Sequence, residues 1–133
     1  MEDYVFSMDM DVRDYECDLE GVVNNAVYMH YLEHARHQYI KTLGIDFAEL
    51  AKNGINLIVI KAELEYKSSL TSGDKFTVKL RVVRESRLKI VFEQDIYRLD
   101  SGKTVLKGRV TTTAVNANGR PHIPESVEKA LGI

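Results

Sequence analysis

The chain of 133 residues has one cysteine, Cys17, so no internal disulfide framework can brace it. A disulfide-dense secreted mini-protein is excluded, and a reducing compartment fits. The only two prolines, Pro121 and Pro124, lie near the end. No stretch approaches the ~18 apolar residues that a membrane span needs. Eighteen basic against twenty acidic residues give a formal charge of −2. That balance lacks the basic footprint of a nucleic-acid binder. Met1 to Asp11 is acidic, without the basic-then-apolar order of a signal peptide, so a cytoplasmic setting is expected. There is no internal repeat, low-complexity tract or linker. Residues 1–133 are therefore expected to form a single domain.

Apolar residues make up 44% of the chain and charged residues 29%, the balance of a soluble globular protein. A chain this long buries most of its apolar surface without covalent staples. Tyr4 to Tyr15 alternates loosely and reads as a strand. Asp18-Leu19-Glu20-Gly21 reads as a loop, and Asn24 and Asn25 stand where a helix cap would. Over Ala26–Leu43 the residues Tyr28, Leu32, Ala35, Tyr39 and Leu43 recur at helical spacing, one stripe of an amphipathic helix. Gly44 stands just past its end, and Lys41 suits the dipole there. A short helical piece, Asp46 to Asn53, follows.

The texture then changes. Asn56–Tyr66, Lys75–Val83, Leu88–Leu99 and Lys103–Ala117 read as four consecutive strands. They are separated by turn signals at Ser72-Gly73-Asp74, Arg84–Arg87 and Asp100-Ser101-Gly102. Asn118-Gly119 marks another turn, and Pro124 can open a terminal helix, Glu125–Leu131. Four hairpin-linked strands make a mainly antiparallel sheet, and the long helix is the only large cover for its apolar face. The fold class is α+β, a long helix partly wrapped by a curved sheet. The exposed sheet edges make a symmetric oligomer the expectation.

Asp18 lies on the loop that leads into the long helix. The first backbone N–H groups of a helix have no partners within it and form a positive-ended donor cluster. A carboxylate beside such donors suits thioester hydrolysis. It can attack the carbonyl or activate a water, while backbone donors hold the developing oxyanion. Gly21 lets the chain turn tightly and lets substrate approach the backbone, with Val22 beside it. By composition alone, an Asp before a helix is more commonly a cap or a solvated loop residue.

The stretch VRDYECDLEGVVNNAVYMHYLEHAR resembles the signature of the hotdog-fold thioesterases, in their 4-hydroxybenzoyl-CoA thioesterase-like family. Arg13, Glu16, Asp18, Gly21, Val22, Val23, Asn25, Tyr28, Tyr31, Glu33, Ala35 and Arg36 carry the match. Tyr66 through Gly73-Asp74, Gly119-Arg120-Pro121 and Ile123-Pro124 extend it along the chain. The resemblance implies one long central helix wrapped by a five- or six-stranded sheet. It implies hydrolysis of an acyl-CoA or acyl carrier protein thioester, with Asp18 as nucleophile or general base. The Asn25 backbone N–H would serve as oxyanion donor. It implies no metal or redox cofactor, coenzyme A entering only with the substrate, and a homodimer or homotetramer. Relatives often have a histidine where this chain has Asn25, so only the backbone role carries over. Glu33 belongs to a Glu-x-Ala-Arg pattern, where a structural pairing with Arg36 or His37 is expected.

Other residues have two readings. Tyr15 and Tyr28 could line an acyl pocket or pack in the core. Arg84, Ser86, Arg87 and Lys89 gather at one turn. That cluster would suit the phosphates of coenzyme A or an acidic carrier protein, or be a solvated hairpin. Lys67 and Ser68 are a second choice for that role. Cys17 lies between Glu16 and Asp18, which disfavour a thiolate, so packing is expected of it. His30, His34 and His37 share one helix face. A polar strip or a subunit contact is expected there before a metal site. Two other functions fit the fold less well. A non-catalytic hotdog module would bind an acyl carrier or partner protein. A hotdog dehydratase would want an active-site histidine.

Overall fold

The structure, a computed structural model, describes residues 3–133. Five strands form one antiparallel sheet: β1 (Phe6–Asp11), β2 (Asn56–Tyr66), β3 (Lys75–Ser86), β4 (Lys89–Arg98) and β5 (Thr104–Val115). Their spatial order is β1-β3-β4-β5-β2, so β1 and β2 are the edges. The helices are α1 (Asn25–Thr42), α2 (Phe47–Lys52) and α3 (Glu125–Leu131).

Period-two alternation in β3 sends Phe76, Val78 and Leu80 to one face, and all three are fully buried. Ile96 of β4 and Leu106 and Val110 of β5 join them. On this face lies the α1 stripe of Tyr28, Leu32, Ala35 and Tyr39, all buried. Burying each large apolar side chain contributes about 1.5–3 kcal/mol. The helix comes close because β5 carries Gly108 beneath it. A Cβ there would sit 3.1 Å from Leu32 Cδ1 and 3.0 Å from the Gln94 carbonyl oxygen. Gln94 is fully buried and ties sheet to helix. Its Nε2 donates to the Leu32 carbonyl at 2.9 Å, and its Oε1 accepts from Arg36 Nη1 at 3.0 Å.

Two expectations need correction. The first strand ends at Asp11 and does not reach Tyr15. The Val12 N–H turns to the Asp74 carbonyl, and Asp14–Glu16 forms one turn of 3-10 helix, with the Glu16 carboxylate accepting the Arg13 N–H at 2.8 Å. A local side-chain acceptor has overridden the alternation. The polar stretch Arg84–Arg87 is mostly strand rather than turn, because the β3–β4 register continues through Arg84↔Ile90 to Ser86↔Lys89.

Candidate active site

Residues 16–24 form a small antiparallel ladder on the rim of the sheet. The Asn24 N–H donates to the Glu16 carbonyl at 3.0 Å, Cys17 pairs with Val23, and the Asp18 N–H donates to the Val22 carbonyl at 2.9 Å. The turn closes through Gly21, whose N–H bonds the Asp18 carbonyl at 3.0 Å with φ at +80°, the left-handed region that favours glycine. Val22 bridges to Thr71, and so joins the ladder to the segment leading into β3.

This turn aims the Asp18 carboxylate. Oδ1 accepts the N–H groups of Glu20 at 2.9 Å and Val22 at 3.4 Å. Oδ2 makes no hydrogen bond among the described residues, and the side chain is exposed. One oxygen is anchored and the other is free for chemistry. At the ladder's other end, Asn24 caps α1, its Oδ1 accepting the Ala26 N–H at 2.9 Å. The Asn25 N–H has no acceptor among the described residues. It is an unpaired donor at the positive end of an 18-residue helix.

Two residues outside the candidate set hold this junction together. Glu16 is buried. Its Oε1 accepts the Arg13 N–H and the Tyr31 hydroxyl at 2.8 Å each, while its backbone carbonyl takes the cap residue. Burial, reinforced by the Glu16 acceptor, pushes the Tyr31 phenol far up, so it stays a donor at neutral pH. Tyr66, the last residue of β2, donates its hydroxyl to the Asn25 carbonyl at 3.2 Å. Its ring meets Tyr28 edge-on at 5.5 Å. Both residues belong to the motifs that carry the family resemblance. Their partners are too far off in sequence for spacing to reveal.

Tyr15, Gly21, Val22 and Asn25 lie at the same loop–helix junction as Asp18. Tyr15 is exposed there. Tyr28 is only 2% exposed within one copy of the chain, and its hydroxyl accepts the Leu70 N–H at 3.2 Å. The cluster of Arg84, Ser86, Arg87 and Lys89 is at the far end of β3, roughly 35 Å from the Asp18 end at ~3.3 Å per residue. Within one copy of the chain it does not converge on Asp18. Arg84 is occupied, donating to the carbonyls of Ser86 at 3.1 Å and Arg87 at 2.7 Å and pairing with Glu128 of α3. Ser86, Arg87 and Lys89 are exposed.

Ser68 donates to the Thr104 carbonyl at 2.9 Å, and Lys67 pairs with Glu65. Cys17 is half-buried in the ladder. No group of three or more His, Cys, Asp or Glu side chains among the described residues is placed to hold a metal ion, and His30, His34 and His37 are solvent-exposed. A wide depression of about 740 Å³ on the outer sheet face is lined by charges that satisfy one another, such as Arg81 with Glu93 at 2.7 Å and Arg109 with Glu93 at 3.0 Å. No helix among the described residues is long and apolar enough to cross a membrane.

Residues 12–131 match the family model of the thioesterase-like superfamily. Over 121 residues, 90% of this chain, the sequence is 37% identical to the acyl-acyl carrier protein thioesterase ATL3, chloroplastic, of Arabidopsis thaliana. Over 126 residues, 94% of the chain, it is 35% identical to ATL2 of the same plant. The chain spans about two thirds of the length of these curated relatives, 64% and 67%. A 1,4-dihydroxy-2-naphthoyl-CoA thioesterase from Synechocystis superposes with a TM-score of 0.90 over 96% of this chain and 95% of that one. At 14% identity that likeness shows the fold alone. A curved five-stranded sheet around one long helix, joined to a family match over nearly the whole length, makes this chain a member of the thioesterase-like superfamily with the hotdog fold.

Proposed function

We propose that this chain hydrolyses an acyl thioester carried by coenzyme A or by an acyl carrier protein. Asp18 acts as nucleophile or general base, and the Asn25 backbone N–H receives the oxyanion. The observation that carries this reading is the pairing at one junction of an oriented carboxylate with a free oxygen and a helix-start N–H with no acceptor. The thioester carbonyl accepts the Asn25 N–H. The free Asp18 oxygen then attacks the carbonyl carbon, or takes a proton from a water that does so. The negative charge gathers on the carbonyl oxygen, where the preorganised donor stabilises it more than in the ground state. Collapse of the tetrahedral species expels the thiolate. In the nucleophilic route an acyl-aspartyl anhydride then takes up water.

The same reading includes a homodimer formed through β2. This strand's outer edge is unpaired among the described residues, and Ile58, Val59 and Ile60 are exposed along it. β2 runs from the hairpin end of the sheet to Tyr66 at the Asp18 end. Antiparallel pairing with a second copy therefore brings each hairpin end toward the other copy's α1 start. Ser86, Arg87 and Lys89 of one copy would then serve the phosphates of a substrate held at Asp18 of the other. Free-thiol release from acyl-CoAs and acyl carrier protein thioesters tests the chemistry. Saturable binding of an acyl thioester without thiol release would leave a binding module instead.

A further inference from the structure

Of the backbone N–H groups of Asn24 to Val27, which open α1, three are spent. The Asn24 N–H goes to the Glu16 carbonyl at 3.0 Å, the Ala26 N–H to the Asn24 side chain at 2.9 Å and the Val27 N–H to the Asn24 carbonyl at 2.9 Å. The Asn25 N–H is the one left without an acceptor among the described residues. An oxyanion accepts more than one hydrogen bond, so a hole with a single backbone donor has room for a second. That donor has to come from a side chain. The hydroxyls around the junction are committed elsewhere. Tyr66 donates to the Asn25 carbonyl, Tyr28 is buried against the Leu70 N–H, and the Tyr15 phenol engages the Arg13 guanidinium. The two asparagines have divided roles. The Asn24 side chain is fixed as the helix cap, while the Asn25 carboxamide is exposed and makes no hydrogen bond among the described residues. An unbonded asparagine on a surface is ordinary; this one shares its residue with the unpaired N–H. Asn25 is the first residue of α1, where the Cα–Cβ bond tilts toward the helix N-terminus, the direction in which that N–H also points. Its backbone is held on both sides, by Val27 on the Asn24 carbonyl and by Tyr66 on its own.

We infer that the Asn25 carboxamide is the second oxyanion donor of the hydrolysis proposed above, its Nδ2 donating to the same carbonyl oxygen that the Asn25 backbone N–H holds. When the Asp18 oxygen or a water forms its bond to the carbonyl carbon, the π electron pair moves to that oxygen. It returns to rebuild the carbonyl as the carbon–sulfur bond breaks and the thiolate leaves. The carboxamide keeps both its protons throughout. Its bond strengthens as charge gathers on the oxygen, so it acts on the transition state more than on the bound substrate. This role rests on the thioesterase reading of the junction, and the Asp18 chemistry does not in turn depend on it.

Thiol release by the full chain tests it, on the acyl-CoA or acyl carrier protein thioester that the wild type turns over fastest. Asn25→Ala and the near-isosteric Asn25→Leu keep the backbone N–H and the Asn24 cap and remove the side-chain donor. Both are expected to lower kcat by about 10²-fold, with KM within about threefold of wild type. Asn25→His, which restores an N–H donor, is expected to recover about tenfold of that loss or more. The shape of the kcat–pH profile is expected to stay the same in Asn25→Ala, because a carboxamide has no titrating proton. The urea midpoints of the Ala and Leu variants are expected at or above that of wild type, both being better helix formers than Asn. An Asn25→Ala or Asn25→Leu protein that releases thiol as fast as wild type overturns the inference, as does a loss carried by KM alone. Full activity in those variants beside an inactive Asp18→Asn leaves the proposed function standing without it. A wild type that releases no thiol from any thioester overturns both.

Discussion

At the scale of single residues, the junction depends on a buried carboxylate, that of Glu16. Glu16 gathers the Arg13 N–H, the Tyr31 hydroxyl and, through its carbonyl, the Asn24 cap. Glu16→Ala would strand a buried hydroxyl and a backbone N–H, a loss of about 1–3 kcal/mol for each group left without a partner. Urea unfolding is expected to show that loss, together with slower turnover, because Asp18 and Asn25 flank the loosened ladder. Tyr66 acts from the other side. Tyr66→Phe keeps the ring on Tyr28 and removes only the bond to the Asn25 carbonyl. Its expected effect is a fall in kcat of a few-fold, with KM and the urea midpoint little changed, since one neutral hydrogen bond contributes ~1 kcal/mol. An equal loss through KM alone would give Tyr66 a substrate-binding role instead.

At the scale of elements, α1 was legible because its apolar stripe, its asparagine cap and Gly44 all agree. Asn24→Ala removes the acceptor of the Ala26 N–H and is expected to lower stability by ~1 kcal/mol, measured by urea unfolding. The end of β1 was not legible. Nothing in the spacing of Tyr4–Tyr15 reveals that the Glu16 side chain will capture the Arg13 N–H and turn the chain. The Arg84–Arg87 stretch misled for a similar reason. Its polar composition suggests a turn, yet ladder pairing with β4 and the Arg84–Glu128 pair keep it extended. The motif singled out Asp18 and Asn25 as candidates, and both lie at the loop–helix junction. Tyr66 and Arg36 gained meaning only from partners distant in sequence, Asn25 and Gln94.

At the scale of the whole molecule, Asp74 ties the rim together. It accepts from the Thr71 N–H at 2.7 Å, from the Thr71 hydroxyl at 3.0 Å and from Arg98 at 3.0 Å. Burial pushes its pKa up, but the hydrogen bonds from Arg98 and Thr71 outweigh that and hold it below the usual aspartate value. A carboxylate depressed in the folded state stabilises it above the unfolded pKa of about 4 and loses that contribution as pH falls through the folded value. The urea midpoint is therefore expected to drop on acidification below about pH 4, and less steeply in Asp74→Asn. An identical acid limb in that variant would remove Asp74 from the explanation.

The proposed chemistry rests on one loop–helix junction and is best tested there. Free thiol released from a panel of acyl-CoAs and acyl carrier protein thioesters would be measured for wild type and Asp18→Asn side by side. The expected result is turnover by the wild type on part of the panel. The variant, equally folded, is expected to fall by a factor of about 10² or more, the scale of removing a general base or nucleophile. An Asp18→Asn protein that releases thiol as fast as wild type would contradict the assignment.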